Sequence, residues 1–464
     1  AYQPGVIQNT TDRYLKLTTL NSQTAQAQTA LMAYATAQQQ TGTVSGIHAY
    51  RIVNAISMTA TRDIIEAIAA RADVNVVVEN RIIPLPPIRI SAGNLAAGWN
   101  ISKIRADEVW ASYNIRGDGI VDGSLDTGVD ATHPDIATQF RGGPRDFYDA
   151  IGNKFTTPFD THGHGTHTVG TMVGRDASGQ AIGVAPNARW IAAGAFDANG
   201  GATDAILRAM DYMVDPDGNP QTDDAPDVVN NSWGSDNGSS ETFRPAIKNW
   251  VSLGIFPMFA NGNAGPGVGT VGSPASSPEA FGIGATDVND AIANFSSRGP
   301  SPINGEIKPE VSAPGADIRS SLPDGKYANW NGTSMATPHV SGVVALLKQA
   351  DPTLTISSIR NILENTSIDL GASGEDNDFG HGRVDAFAAV SFVVKGMGTL
   401  SGTVTEGNVT FNFGDPVIGA KMKVIAATDS TVLGRNVLTD IKGVYTILLP
   451  QGKYTMEAGR DGYS

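Results

Sequence analysis

The sequence predicts an α/β body, a mostly parallel sheet with helices on both faces, preceded by a small α+β unit and followed by a small all-β sandwich. Three observations predict it. Between about Trp99 and Val394, short apolar runs alternate with segments of helical periodicity, the order that builds a parallel sheet covered on both sides. Ahead of this stretch lies a compact pattern too short to be the main domain. Near Lys395 the helical periodicity gives way to alternating and β-branched runs separated by Gly, Asp and Pro. The boundaries read 1–92 (core 46–85), 93–395 and 396–464. With 464 residues, two or three domains are expected.

Taken in order, residues 1–45 are rich in Gln, Thr and Ala, and Ala25–Gln40 predicts a polar helix with a weak apolar face. His48–Met58 reads as a strand. Thr61–Arg71 carries Ile64, Ile65 and Ile68 at helical spacing, and Val74–Glu79 is a β-branched run. Pro84, Pro86 and Pro87 then break regularity, and Ser91–Trp99 is a Gly/Ala-rich connector. In the main body, Gly119–Leu125, Trp190–Phe196, Val228–Trp233, Ile255–Asn261 and Phe281–Thr286 read as strands. Ala202–Met213, Thr242–Val251 and Ser334–Lys348 read as helices. The tail offers strands at Leu400–Glu406, Lys421–Thr428 and Val444–Leu449 and stops in mid-pattern, as a module cut short would.

Composition removes several classes of function. The chain has no cysteine, which excludes disulfides, a thiol nucleophile and a Cys-ligated metal. It has no run of about 18 apolar residues, so no membrane span is expected. The N-terminus AYQPGVIQNT lacks a basic region followed by an apolar one, so any export signal is expected to be already removed or left out. The net charge of −14 makes nucleic acid an unsuitable partner. Residues 1–90 hold seven Lys/Arg and five Asp/Glu, a net of +2, which leaves −16 for the remainder. A slightly basic first segment beside an acidic body fits a piece that docks on the rest.

Three segments stand apart. Gly123-Ser124-Leu125-Asp126-Thr127-Gly128-Val129 puts an aspartate at the carboxyl end of a buried strand, where groups of open α/β sheets gather; such an Asp also serves to cap a turn. His162-Gly163-His164-Gly165-Thr166-His167 opens a helix. Three histidines in six residues fit metal binding, yet the Glu of a His-Glu-x-x-His helix is missing and a third ligand would be needed. Asn331-Gly332-Thr333-Ser334-Met335-Ala336-Thr337-Pro338-His339 puts a serine at the start of an apolar helix, with Pro338 in the first turn. Alone, that serine reads as an N-cap. Together the segments supply a carboxylate, an imidazole and a hydroxyl. A serine hydroxyl needs a positioned base, an imidazole can take and return its proton, and a carboxylate fixes the imidazole tautomer.

These segments, read as DTGV, HGTH and NGTSMATPHVSG, resemble the three signatures of the subtilase family of serine proteases. The chain order Asp, His, Ser is that of subtilisin. His164 lies 38 positions after Asp126, and Ser334 170 after His164. Gly183–Pro186, Asn231–Gly234, Asn261–Asn263, Phe295–Pro300 and Lys308–Val311 resemble the family too, so the likeness covers most of residues 100–390. HGHGTHT and NNSWGS resemble the bacillopeptidase F-like branch most.

The resemblance implies a subtilisin-like fold and a secreted, extracellular endopeptidase acting on proteins or peptides, with Asp126, His164 and Ser334 as catalytic triad. It implies that Asn263 stabilises the oxyanion and that Ser232, Trp233 and Gly234 pair with substrate backbone. Trp233, bulky where many relatives carry a smaller residue, either reshapes the pocket wall or packs into the core, with the pocket wall the favoured expectation. Ser273-Pro274 resembles a cis-proline turn. The first 92 residues resemble an inhibitory propeptide, clearest over His48–Ile83, which is cut within Pro87–Trp99. The tail resembles a carboxypeptidase-regulatory-like sandwich. No cofactor is implied for catalysis, but a structural Ca2+ is implied at Asp135. The companion loop departs from the family there, opening with Arg175 and carrying Ala177 where an Asn ligand is expected. Acidic loops such as Asp223–Asp227 offer calcium an alternative place, with solvated surface charge the favoured reading.

Overall fold

A strand covered on both faces needs no polar alternation, because both sets of its side chains are buried. Val121–Asp126 obeys this, with five of its six residues buried. It lies inside an eight-stranded sheet in a computed structural model that describes residues 7–91, 98–405, 421–426, 432–438, 442, 444–450 and 454–459. The strand order is Val311–Pro314, Phe281–Thr286, Phe256–Ala260, Val228–Asn231, Val121–Asp126, Arg189–Gly194, Phe147–Asp149 and Lys154–Phe155. All neighbours are parallel except the last pair.

Adjacent residues point to opposite faces, so Val228 and Val229 enter different apolar clusters. On one face lie the helices His164–Val173 and Thr333–Ala350, through Val169, Met172, Val340 and Val343. On the other lie Thr203–Tyr212 and Arg244–Ser252, through Ile206, Met210, Ile247 and Trp250. The predicted α/β class, strands and helices are found here with shifts of a few residues at their ends.

The sheet order also locates a crevice. From Val121–Asp126 the chain moves on to Phe147–Asp149, Lys154–Phe155 and Arg189–Gly194, all on one side, and from Val228–Asn231 to Phe256–Ala260 on the other. These two central strands are neighbours. Their carboxyl ends therefore flank a topological switch point, where connections diverge and leave an open cleft.

The N-terminal unit differs from its predicted strand–helix–strand order. His48–Met58 is not one strand but the turn of a hairpin, Val44–Ala49 against Ile56–Ala60. The reason is tertiary. Asp211 Oδ1, from the main body, accepts hydrogen bonds from the Arg51 and Ile52 amides at 2.9 and 2.6 Å and fixes the turn between them. Val74–Glu79 forms no strand, and Val76, Val77 and Val78 stay exposed. The N-terminal helix runs over Ile7–Gln40, far longer than Ala25–Gln40. Its buried stripe, Leu17, Thr24, Gln28 and Ala35, is half polar, which hid it from a periodicity count. Gln28 Nε2 donates to the carbonyls of Tyr50, Val53 and Ala55. Leu17, Tyr50, Ile52 and Val53 are buried in the same cluster as Ile206 and Trp250, so this unit shares a core with the body.

Beyond it, Ile82–Ile83 pairs with Gly201–Ala202, and Arg89–Ile90 pairs with Trp330 and Asn331. In the tail, Met397–Thr403, Lys421–Ala426, Val432–Leu438, Val444–Pro450 and Tyr454–Gly459 are strands, all paired antiparallel; they overlap the three expected ones, of which residues 406, 427 and 428 lie outside the described residues. Among the described residues, no helix is long and apolar enough to cross a membrane.

Candidate active site

The cleft at the switch point receives groups from both strand ends. Asp126 is the last residue of its strand and is buried. Its Oδ1 lies 2.8 Å from His164 Nδ1 and also accepts from the Thr127 amide at 2.7 Å. His164 is the first residue of its helix. The helix approaches the strand so closely that a Cβ on Gly165 would lie 2.0 Å from the Gly128 carbonyl oxygen. Gly128 itself has φ 103°, a conformation that favours glycine. The glycines of both motifs thus set the distance between carboxylate and imidazole. Burial alone would lower the pKa of His164. The charge of Asp126, its hydrogen bond and the charge of Asp160 outweigh burial and hold it above the usual imidazole value.

Asp160 was not singled out by sequence. Its Oδ1 accepts from Thr127 Oγ1, His162 N and Gly163 N, and its Oδ2 from Thr166 N and Oγ1, all at 2.7–3.0 Å. It ties the Asp126 turn to the helix start that bears His164. Its position just before a helix was the available signal, since acids there satisfy free N–H groups.

Ser334 sits on the helix Thr333–Ala350, whose N-cap is Gly332, so the N-cap reading of the serine does not hold. Pro338 lies inside this helix rather than in its first turn. Proline has no N–H, so it cannot satisfy the carbonyl four residues earlier, which belongs to Ser334. That oxygen instead accepts from Ser232 Oγ at 2.9 Å, while Ser334 Oγ donates to the Ser232 carbonyl at 3.0 Å. This reciprocal pair joins the helix that bears Ser334 to the end of the strand Val228–Asn231.

Asn263 follows the strand Phe256–Ala260. Its Oδ1 accepts from Thr333 N at 2.9 Å and Thr333 Oγ1 at 3.0 Å, which turns the amide group away from Thr333. A methyl placed on Gly332 would lie 3.6 Å from Ser334 N and 3.7 Å from Asn263 Nδ2, so the two donors border one small space. His164, Asn263 and Ser334 line a single cleft together with Trp330 and Met335. Pro86–Arg89 lie in that cleft as well, and Asn331 Nδ2 donates to the Arg89 carbonyl at 3.1 Å.

The remaining histidines have other partners. His167 stacks on Trp330 at 4.5 Å, and burial pushes its pKa down to about 3. His339 is held between the Asn100 amide and the Met335 carbonyl, and burial lowers it to about 4. His162, His164 and His167 do not form a metal-ligating group among the described residues.

Two expectations change. Trp233 does not shape the pocket wall; it is buried among Phe196, Phe243 and Phe259. At Asp135 the residues do not fit a calcium ion. Oδ1 accepts from the Ala177 amide at 2.5 Å and Oδ2 from the Tyr327 hydroxyl at 2.6 Å, and Ala177 brings no ligand oxygen on its side chain. Ser273-Pro274 is cis, as expected. Lys308, of the Lys-Pro-Glu segment, is buried and donates to Glu310 and to the Ser277 and Ala280 carbonyls, so that segment is structural.

Comparison with known proteins agrees with this geometry. Residues 117–382 match the model of the subtilase family. The chain is 40% identical over 413 residues to bacillopeptidase F of Bacillus subtilis (strain 168), an alignment covering 82% of this chain and 29% of that protein. It is 36% identical over 294 residues to subtilisin Savinase of Lederbergia lenta, covering 63% of this chain and 97% of that protein. The same identity and length relate it to an alkaline protease of Alkalihalobacillus alcalophilus, over 69% of that protein. The chain thus spans less than a third of bacillopeptidase F but nearly all of the shorter subtilisin, and it belongs to the subtilase family.

Proposed function

We propose that the chain is a secreted serine endopeptidase made as a self-processing proenzyme. The observation that carries this is the hydrogen-bonded Asp126–His164 pair facing one cleft with Ser334 and Asn263. Rotation about the Cα–Cβ bond of Ser334 exchanges the Ser232 carbonyl for the imidazole Nε2. His164 then takes the hydroxyl proton as Ser334 attacks the peptide carbonyl, and later returns it to the leaving amine. Asp126 holds the ring in the tautomer with Nδ1–H and stabilises the imidazolium. Asn263 Nδ2 and the Ser334 amide receive the oxyanion, the latter aided by the helix N-terminus. The backbone of Ser232–Gly234 pairs with an extended protein or peptide substrate.

Residues 1–92 serve in this reading as an intramolecular inhibitor. Their buried contacts with the body and the presence of Pro86–Arg89 in the cleft support it. The cut falls within Pro87–Trp99, of which 92–97 lie outside the described residues. Residues 93–395 form the catalytic domain and 396–464 a carboxypeptidase-regulatory-like sandwich. The enzyme works outside the cell without a catalytic cofactor.

Two measurements test the reading. Purified wild-type chain is expected to lose its first 90 or so residues and then to be labelled by a fluorophosphonate at Ser334, while Ser334→Ala stays full length and unlabelled. Processed protein that resists the reagent with Ser334 unmodified would show a binding protein on a protease scaffold.

A further inference from the structure

The loop between the helix Thr203–Tyr212 and the strand Val228–Asn231 carries Asp215, Asp217, Asn219 and Asp224. One carboxylate oxygen from each of Asp215, Asp217 and Asp224 lies within 4.8 Å of the others, the one such group among the described residues. A second observation points the same way. The Asp215 side chain is 1% exposed. Its Oδ2 is paired with Arg51 at 2.7 Å, but its Oδ1 is buried and has no hydrogen-bond partner. A buried carboxylate oxygen left in that state is costly.

We propose that Asp215, Asp217 and Asp224 bind one calcium ion, at a place distinct from Asp135. The donors are all hard oxygens, which excludes a thiolate- or imidazole-seeking metal. Oxygens across a calcium ion, bound at about 2.3–2.6 Å, are separated by about this spacing, and calcium accepts irregular, partly hydrated sets that magnesium does not. The loop is already folded around the trio. The Asp217 amide donates to Asp224 Oδ2 at 2.6 Å, Thr222 Oγ1 donates to Asp217 Oδ2 at 2.8 Å, and Gly218, at φ 77°, makes the turn between Asp217 and Asn219. The ion would anchor the loop feeding the strand that ends beside Ser232. It does not depend on Ser334 being a nucleophile.

The test uses the full chain carrying Ser334→Ala, so that self-cleavage does not intervene, with calcium chloride as the probe. Titration calorimetry is expected to find a site of one calcium per chain whose affinity falls at least roughly tenfold in Asp217→Asn and in Asp224→Asn, because charge count sets calcium affinity. Asp223→Asn, on the same loop but outside the trio, is expected to bind as the parent does. Hydrogen exchange on the parent chain needs no variant, and calcium is expected to slow it in residues 213–226. Parent-like binding in both trio variants, no binding at millimolar calcium, or protection confined to other segments would overturn the assignment.

Discussion

At the residue scale, His164 joins two opposing effects. Burial disfavours its charge, yet Asp126 and Asp160 hold its pKa above the usual value of about 6.5. On the proposed mechanism the neutral ring is the base, so kcat/KM should rise with pH only above that value. Asp126→Asn removes what raises the pKa and leaves burial. The acid limb should then move to lower pH while kcat falls by about 10⁴, because the tautomer is no longer fixed; a pH–rate profile of both proteins reads this. Asn263→Ala should lower kcat by about 10²–10³ with little change in KM, since its amide meets charge that exists only in the transition state. A profile in which KM rises and kcat holds would remove Asn263 from that role.

A residue away from the cleft makes a different prediction. Asp122 is fully buried in the central strand, neither carboxylate oxygen has a hydrogen-bond partner, and burial followed by Asp227 pushes its pKa well above the usual range. The folded state therefore keeps it protonated after the unfolded chain has released its proton. Stability lost this way grows as pH rises above about 4. Asp122→Val in the Ser334→Ala chain should raise the unfolding free energy at pH 8 by on the order of 1–3 kcal/mol, seen as a higher unfolding midpoint, and the gain should shrink toward pH 4. Equal midpoints at both pH values would count against it.

Among elements, the hairpin turn at residues 50–55 shows how the N-terminal unit is held. Arg51 bonds Asp215 at 2.7 Å and Asp211 at 3.2 Å, and Asn249 Nδ2 donates to the Ile52 carbonyl at 2.6 Å. Arg51→Ala removes the guanidinium from both carboxylates. Because Arg51 is itself about one third exposed, the loss should be toward 1–2 kcal/mol rather than the full cost of a buried broken pair. Faster trypsin cleavage within residues 1–90 of the Ser334→Ala chain would report it; an unchanged rate would mean the apolar contacts suffice.

On the whole-molecule scale, a segment of net +2 rests on a body of net −16. Two of its contacts, Arg13–Asp223 and Arg51–Asp215, join opposite charges. Leu17, Tyr50, Ile52 and Val53 supply the apolar share. Raising salt from about 0.1 to 1 M shortens the screening length from about 10 to 3 Å. On the proposed processing, release of residues 1–92 after the cut should therefore quicken only modestly, by less than about tenfold, when followed by size-exclusion chromatography. A much larger acceleration would mean that charge dominates the docking.

The linear chain determined the alternation of buried strands and helices, the three segments bearing Asp126, His164 and Ser334, and the glycines around them. Those signals are local: period, turn chemistry and residues adjacent in sequence. Tertiary structure alone decided that Asp211 bends residues 50–55 into a hairpin, that Asp160 gathers the His164 helix start, and that Pro338 frees the Ser334 carbonyl for Ser232. It likewise sent Trp233 into the core and closed Asp135 with Ala177 and Tyr327. In each of these cases the deciding partner of a donor, acceptor or ring lies on another element, often more than a hundred residues away, and no periodicity or spacing records which distant group will arrive.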